Sequence, residues 1–219
     1  MTDGDPRAPF SGLFVGGDRT DTSLAWFEQV YDAAAGRDVR VPWDRGAPHR
    51  HLVEWSERAQ IGGDGKRAIV VGCGTGDDAE FVVARGFEVI AFDIAPTAIR
   101  MAQERFPESR VQYRVADLFS PPDEWLGGFD LVVENQTLQA LPADIRPAAV
   151  TAVARLLAPG GMLLVLANRA VPGQPVAGPP WPLTREEMDG FTQVGLTVAS
   201  IEALSSNGHP RWRAVYRHS

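Results

Sequence analysis

Cysteine is nearly absent from the chain: Cys73 is its sole representative. A single thiol excludes an internal disulfide and argues against a cysteine-based zinc site, so no metal is expected. Basic charge is also short. The formal net charge is −7, and stretches such as Arg211 to Arg213 are too brief to grip nucleic acid through clustered cations facing phosphate. Long hydrophobic runs are missing as well. The longest apolar stretch lies near Met162 to Ala167, far short of the roughly 20 residues that span a bilayer. The opening Met-Thr-Asp-Gly-Asp lacks the basic-then-apolar pattern of a signal peptide. These absences lead to the expectation of a cytoplasmic protein with a small-molecule partner and neither nucleic acid nor membrane. Monomer and homodimer are both compatible with them.

What is present is enough for one substantial core: 219 residues, of which 44% are hydrophobic. Residues 1–22, rich in Gly, Pro and Asp, read as a mobile arm. Residues 23–219 read as one domain: an N-terminal helical cap (23–62), a core (66–170), and a loop with a closing hairpin (171–219). The cap holds a helix through Leu24, Trp26, Phe27, Val30 and Tyr31, and a second from Pro48 to Ala59. From Ala68 the chain alternates. Strands are expected at Ala68–Val71, Phe87–Phe92, Val111–Val115, Phe129–Val133 and Met162–Ala167. Helices are expected at Asp77–Arg85, Pro96–Phe106 and Pro142–Leu157, the last stopped by Pro159-Gly160-Gly161. A helix at Thr184–Val194 and strands at Thr197–Leu204 and Arg211–Tyr216 close the chain. The fold class is therefore α/β: a Rossmann-like, seven-stranded, mostly parallel sheet with an antiparallel last strand, helices on both faces and an N-terminal helical cap.

The strongest chemical signal is Val70-Val71-Gly72-Cys73-Gly74-Thr75-Gly76-Asp77, after a strand and before a helix. Glycines there permit a tight turn and close approach of a ligand to the backbone. The spacing is Gly-x-Gly-x-Gly, whereas a dinucleotide fingerprint is Gly-x-Gly-x-x-Gly with a pyrophosphate at the helix N-terminus. Asp77 and Asp78 put negative charge where that pyrophosphate would sit. They would repel it but tolerate a cationic sulfonium and its ammonium group. A tight turn with no ligand is the bland reading. Asp93 ends the second strand, seventeen positions beyond Gly76, where an acid accepts hydrogen bonds from ribose hydroxyls; it can equally cap the next helix. Asp117 ends the third strand. It is placed to take a hydrogen bond from an adenine amino group while Leu118 packs on the ring, though an isolated Asp there is more often a solvated turn residue. Acids at successive strand tips favour the ligand reading, since such sheets bind ligands at the carboxyl ends of their strands.

Gly72 to Gly76, Asp93, Asp117 and the turn Leu156-Leu157-Ala158-Pro159-Gly160-Gly161 resemble the class I S-adenosylmethionine-dependent methyltransferases, over about Ala68 to Ala167. Pro42-Trp43-Asp44-Arg45-Gly46, with Trp26, Tyr31 and Gly178-Pro179-Pro180-Trp181, resembles the narrower thiopurine S-methyltransferase and halide/thiol methyltransferase group. The resemblance implies S-adenosyl-L-methionine as cofactor. It implies cofactor contacts at Trp26, Tyr31, Trp43, Gly72, Cys73, Gly74, Gly76, Asp93, Ile94, Asp117 and Leu118. It also implies Glu134 and Asn135 facing the methyl-transfer site, with Glu134 counted among the cofactor contacts. The chain departs from the group at Asn135, where the thiopurine enzymes carry arginine and the halide enzymes an aromatic residue. Thiol, halide and phenolic or heterocyclic hydroxyl acceptors thus all stay open.

A sulfonium is a soft cation, and aromatic faces attract such cations by roughly 0.5–2 kcal/mol. That gives Trp43 a site reading, while Trp55 and Trp125 read as core. His49, His51 and His209 are candidate bases, with His49 beside the Trp43 segment the catalytic choice; packing or surface roles are the alternative for each. A nicotinamide-dependent oxidoreductase is the competing enzyme class. It predicts Gly-x-Gly-x-x-Gly and a Tyr/Lys or His pair, neither of which is evident. A non-catalytic cofactor-binding module is the other alternative.

Overall fold

The computed structural model describes residues 21–35, 41–174, 179–206 and 208–219. The expected arm, apart from its last two residues, lies outside these; so do residues 36–40, Gly178 of the Gly-Pro-Pro loop, and Asn207 in the final turn.

The first helix, α1, spans Asp21–Ala35, and α2 spans Arg50–Arg58 with His49 as its N-cap. Strand and helix then alternate through β1 (Arg67–Val71), α3 (Asp77–Val83), β2 (Glu88–Asp93), α4 (Pro96–Arg105), β3 (Gln112–Val115) and β4 (Phe129–Asn135). The chain closes with α5 (Arg146–Ala154), β5 (Leu157–Asn168), α6 (Arg185–Gln193), β6 (Leu196–Ser206) and β7 (His209–His218). The sheet order is β3-β2-β1-β4-β5-β7-β6. β1 through β5 run parallel, and β7 is antiparallel to both β5 and β6. The seven-stranded Rossmann-like expectation is met.

Alternate residues of each central strand feed opposite layers, which is why these strands read as unbroken apolar runs. Ile69, Val71, Leu163 and Val165 pack with α5 and α6. Ala68, Val70, Leu164 and Leu166 pack with α2, α3 and α4. The chain leaves β1 toward β2 on one side and β4 lies on the other, so a crevice opens at the strand tips where the order reverses. Over that crevice lies α1. Its Val30, Tyr31 and Ala34 pack on Ala95 and Ala98 at the start of α4. Its Glu28 accepts hydrogen bonds from the Thr97 backbone (3.0 Å) and hydroxyl (2.7 Å), capping α4 from outside.

One expectation needs correction. The helix expected over Pro142–Leu157 is shorter, and Leu157–Gly161 belongs to β5. The stretch ahead of Arg146 forms a turn closed by Ile145 N–H on the Pro142 carbonyl at 3.3 Å. At the other end the carbonyls of Arg155 and Leu156 accept Gly127 N–H (2.8 Å) and Phe129 N–H (3.2 Å). Pairing with the entry to β4 thus draws the chain out of the helix before the proline is reached, and the extra residues appear as a register shift between Phe129 and Leu131.

Leu164 is fully buried in the centre of the sheet, whereas Val198 on edge strand β6 is 44% exposed. Leu164→Ala is expected to cost about 2–5 kcal/mol in urea unfolding and Val198→Ser under about 0.5 kcal/mol. Equal effects would contradict the assignment of β6 as the outer strand.

Candidate active site

A cavity of about 560 Å³ occupies the crevice, within the usual range for a small-molecule site. Its floor is the turn after β1. Gly72 and Gly74 have φ of +58° and +53°, the left-handed region that glycine adopts freely. A Cβ on Gly72 would meet Thr137 Oγ1 at 2.3 Å, and one on Gly74 would meet the Tyr31 hydroxyl at 2.9 Å. The turn is tied to the next strand by Cys73 N–H on the Phe92 carbonyl at 2.9 Å.

Asp93 joins the turn to α4. One carboxylate oxygen accepts Gly74 N–H at 2.9 Å, the other Ala95 N–H at 3.0 Å. It is buried, and burial raises its pKa against the lowering effect of those backbone bonds. Asp117 at the tip of β3 accepts Phe119 N–H at 2.9 Å, with Leu118 buried beside it.

The roof is aromatic. Trp43 donates its indole N–H to the Tyr31 hydroxyl at 2.7 Å and meets Trp26 edge-on at 6.1 Å between centroids. The segment bearing Trp43 is latched by Arg105, at the end of α4. Its guanidinium donates to both carboxylate oxygens of Asp44 (3.1 and 2.7 Å), to Asp77 (2.8 Å) and to the Thr75 hydroxyl (3.1 Å). Asp77, read from the sequence as facing the ligand's positive end, is therefore already paired with a cation. Asp78 turns inward: it accepts His49 N–H at 2.6 Å and the Asn135 side-chain amide at 2.7 Å. Burial raises its pKa against those hydrogen bonds and the nearby Arg45 charge.

At the other end the wall is built by the β4–α5 connection, the Pro179–Pro180 segment and the start of β7. Gln139 pins these together. Its side-chain oxygen accepts Asn168 N–H at 2.5 Å, and its carbonyl accepts Trp181 N–H at 2.7 Å. His209, Arg211 and Arg45 also line the cavity, Arg45 within electrostatic range of Asp78.

Of the residues expected at the site, Trp26, Tyr31, Trp43, His49, Gly72, Cys73, Gly74, Asp93, Ile94, Asp117, Leu118 and Asn135 line the one cavity. Gly76 and Glu134 do not. Gly76 packs under Tyr113, whose hydroxyl would lie 2.4 Å from an added Cβ. Glu134 is fully buried behind the wall. Its Oε1 accepts Thr137 N–H (2.7 Å) and Leu138 N–H (2.9 Å), while Oε2 has no partner among the described residues. It supports the loop carrying Gln136 and Thr137 and does not face the cavity. His49 reaches the wall, but burial, followed by the charges of Arg45, His51 and Arg211, holds its pKa down to about 3. Its ring is neutral and a weak proton acceptor, and Nδ1 accepts His51 N–H at 3.2 Å as a helix cap.

Sequence reading missed Arg45, Gln139 and Arg211 as cavity residues, whereas Asp78, read with Asp77 as facing the ligand's positive end, does line it. Arg45 stood inside the quoted Pro-Trp-Asp-Arg-Gly motif, but the other two needed the fold. Trp181 and Trp212 are not in the cavity wall; the Trp212 indole donates to the Leu183 carbonyl at 2.8 Å from within the core. No cluster of metal-ligating side chains occurs among the described residues, and no described helix is long and apolar enough to cross a membrane.

This sheet order, with a glycine turn and acids at successive strand tips, defines the Rossmann-like methyltransferase fold. The solved Burkholderia thailandensis 1,6-didemethyltoxoflavin-N1-methyltransferase, with bound 1,6-didemethyltoxoflavin and S-adenosylhomocysteine, superposes with a TM-score of 0.69 at 18% identity, over 96% of this chain and 89% of that one. The profile of the thiopurine S-methyltransferase family matches residues 26–216. The chain belongs to that family. It is an S-adenosylmethionine-dependent small-molecule methyltransferase. A 2-heptyl-1-hydroxyquinolin-4(1H)-one methyltransferase of Mycobacteroides abscessus is 27% identical over 198 residues, 86% of this chain and 85% of the relative. A probable thiol methyltransferase of Arabidopsis thaliana is 29% identical over 67% of this chain and 63% of the relative.

Burial pushes the Glu134 pKa from its ordinary 4.5 up to about 7. The folded chain thus keeps a proton that the unfolded chain releases, so this group makes stability fall as pH rises from about 4.5 to about 7. Glu134→Gln cannot titrate. Its Tm should equal or exceed wild type at pH 8 and decline less across that interval; an identical pH slope would contradict the assignment.

Proposed function

We propose that the protein transfers the donor's methyl group to an acidic O–H or S–H group on a small aromatic heterocycle. The observation that carries this reading is the acceptor end of the cavity. It combines flat apolar walls from Trp43, Leu141, Pro179 and Pro180 with a histidine, His49, whose pKa is too low for it to take a proton from a weak acid. The relative acting on a hydroxyquinolinone, aligned over most of both chains, supports the same substrate class.

The residues present fit the donor. Gly72 and Gly74 keep the turn's backbone bare against the cavity, since a Cβ at either would collide with Thr137 or the Tyr31 hydroxyl, and the Asn135 side-chain oxygen is buried without a partner among the described residues. We assign the turn at Gly72–Gly74, with Asn135 and Asp78, to the donor's amino-acid end. Asp93 holds its ribose and Asp117 with Leu118 its adenine, while Trp26, Tyr31 and Trp43 cover the sulfonium. When bound, the donor supplies an electrophilic methyl on positively charged sulfur. The chain's task is to align the acceptor atom with that methyl and to exclude water, and positioning of this kind is worth up to about 7–11 kcal/mol. An acceptor that ionises readily needs no resident base.

In this reading residues 23–62 form a cap, 66–170 the cofactor-binding core and 171–219 the acceptor loop and hairpin. The protein acts in the cytoplasm on small molecules, without nucleic acid or membrane.

Two measurements test the proposal. With labelled donor, a panel of 1-hydroxyquinolin-4(1H)-ones, thiophenols, simple alcohols and iodide is expected to show turnover on the acidic aromatic members. Turnover confined to aliphatic alcohols or iodide would overturn it. Asp93→Ala is expected to weaken S-adenosylhomocysteine binding roughly tenfold or more by calorimetry, as loss of hydrogen bonds to a charged group implies. Unchanged affinity would remove the ribose role.

A further inference from the structure

Two arginines of the cavity wall carry charge that no carboxylate among the described residues pairs with directly. Arg45 follows Trp43 in the cap, and Arg211 lies near the start of β7; both line the cavity. Neither forms an ion pair among the described residues, whereas eight other arginines do. The nearby acids make no ion pair with them. Asp44 is held by Arg105. Asp78 lies within electrostatic range of Arg45 and offsets part of its charge, but the two form no ion pair, and its oxygens accept His49 N–H and the Asn135 amide. Arg211 donates only to neutral oxygens, the Asn168 side chain and the Pro210 carbonyl.

The two guanidiniums also act on one another and on a common neighbour. Burial, then Arg45, lowers the pKa of Arg211, and both arginines help to hold the His49 ring neutral. Two partly desolvated like charges around one space are unfavourable without an anion between them. Such an arrangement is the signature of a site that expects one, because guanidinium is matched to flat oxyanions.

Which anion follows from topology. Asp93 and Asp117 sit at the tips of β2 and β3. Arg211 pairs with Asn168 at the tip of β5, with β1 and β4 between. The arginine of β7 is thus on the opposite flank from the acids assigned to the nucleoside, beside Pro179 and Pro180. We propose that Arg45 and Arg211 form an anion subsite that binds the acceptor in its ionised form, a phenolate-type oxyanion on an aromatic ring. This deepens the function proposed above and rests on it. The pair selects the deprotonated acceptor from solution, which supplies the nucleophile without a proton transfer inside the cavity.

The test uses two flat probes of similar shape and different charge, 4-nitrophenol and 4-nitroaniline. Each is titrated by calorimetry into the full chain with S-adenosylhomocysteine at pH 9, where the phenol is ionised. The phenolate is expected to bind at least about tenfold more tightly than the amine. Arg211→Gln and Arg45→Gln should each remove most of that preference, leaving 4-nitroaniline and S-adenosylhomocysteine affinities within about twofold of wild type. Equal binding of the two probes, or no detectable phenolate binding, would overturn the subsite. So would variants that keep the preference. A loss of S-adenosylhomocysteine affinity in the variants would reassign the arginines to the donor's carboxylate and equally overturn it. These readouts involve no turnover, so the acceptor panel above can fail while the charge preference stands, and the reverse.

Discussion

The site depends on one buried carboxylate. Asp93 accepts an N–H from the glycine turn and another from the first residue before α4, so a single side chain fixes the floor of the cavity to the helix that carries its roof. Burying a charge is costly unless it is fully hydrogen-bonded, and these backbone donors supply part of what water would have given. The carboxylate lines the cavity at the point where the strand order reverses and a ligand has room to lie. Glu28 capping α4 and Arg105 latching Asp44 carry the same constraint outward, from the turn to α4 and from α4 to the aromatic cover.

The cover and the core do different work. The core is a parallel sheet whose tips present backbone amides and acids, a surface suited to a nucleoside carrying a positive charge. The cover closes over the cavity with Trp26, Tyr31 and Trp43, and it brings Arg45 with it. In the proposed assignment one segment serves both halves of the reaction, its tryptophan toward the donor and its arginine toward the acceptor. Exclusion of water and selection of an anion are then properties of the same short stretch of chain.

Much of this was legible in the residues themselves. The glycine turn, Asp93 and Asp117 announce themselves because each sits where an apolar run ends, and sheet periodicity alone places such positions on one edge. The helix expected over Pro142–Leu157 was misjudged because helix periodicity cannot show that the Arg155 and Leu156 carbonyls find partners in the entry to β4. Glu134 misled for a related reason. A residue at the end of a strand points to one side or the other, and the backbone amides of Thr137 and Leu138 claim it for the inner side. Arg211 looked like part of a short basic stretch. Strand alternation puts both on one face, with Trp212 on the other; they differ in place along β7, Arg211 near its start lining the cavity and Arg213 further in, buried against Glu202. Long-range pairing decides such cases, and no local pattern encodes it.

The most direct test of the account is a crystal structure of the protein grown with S-adenosylhomocysteine. The account predicts the ribose hydroxyls within about 2.5–3.0 Å of the Asp93 carboxylate, the amino-acid end against the turn at Gly72–Gly74, and the sulfur beneath Trp43. A nucleoside bound elsewhere, or a ribose with no contact to Asp93, would contradict it.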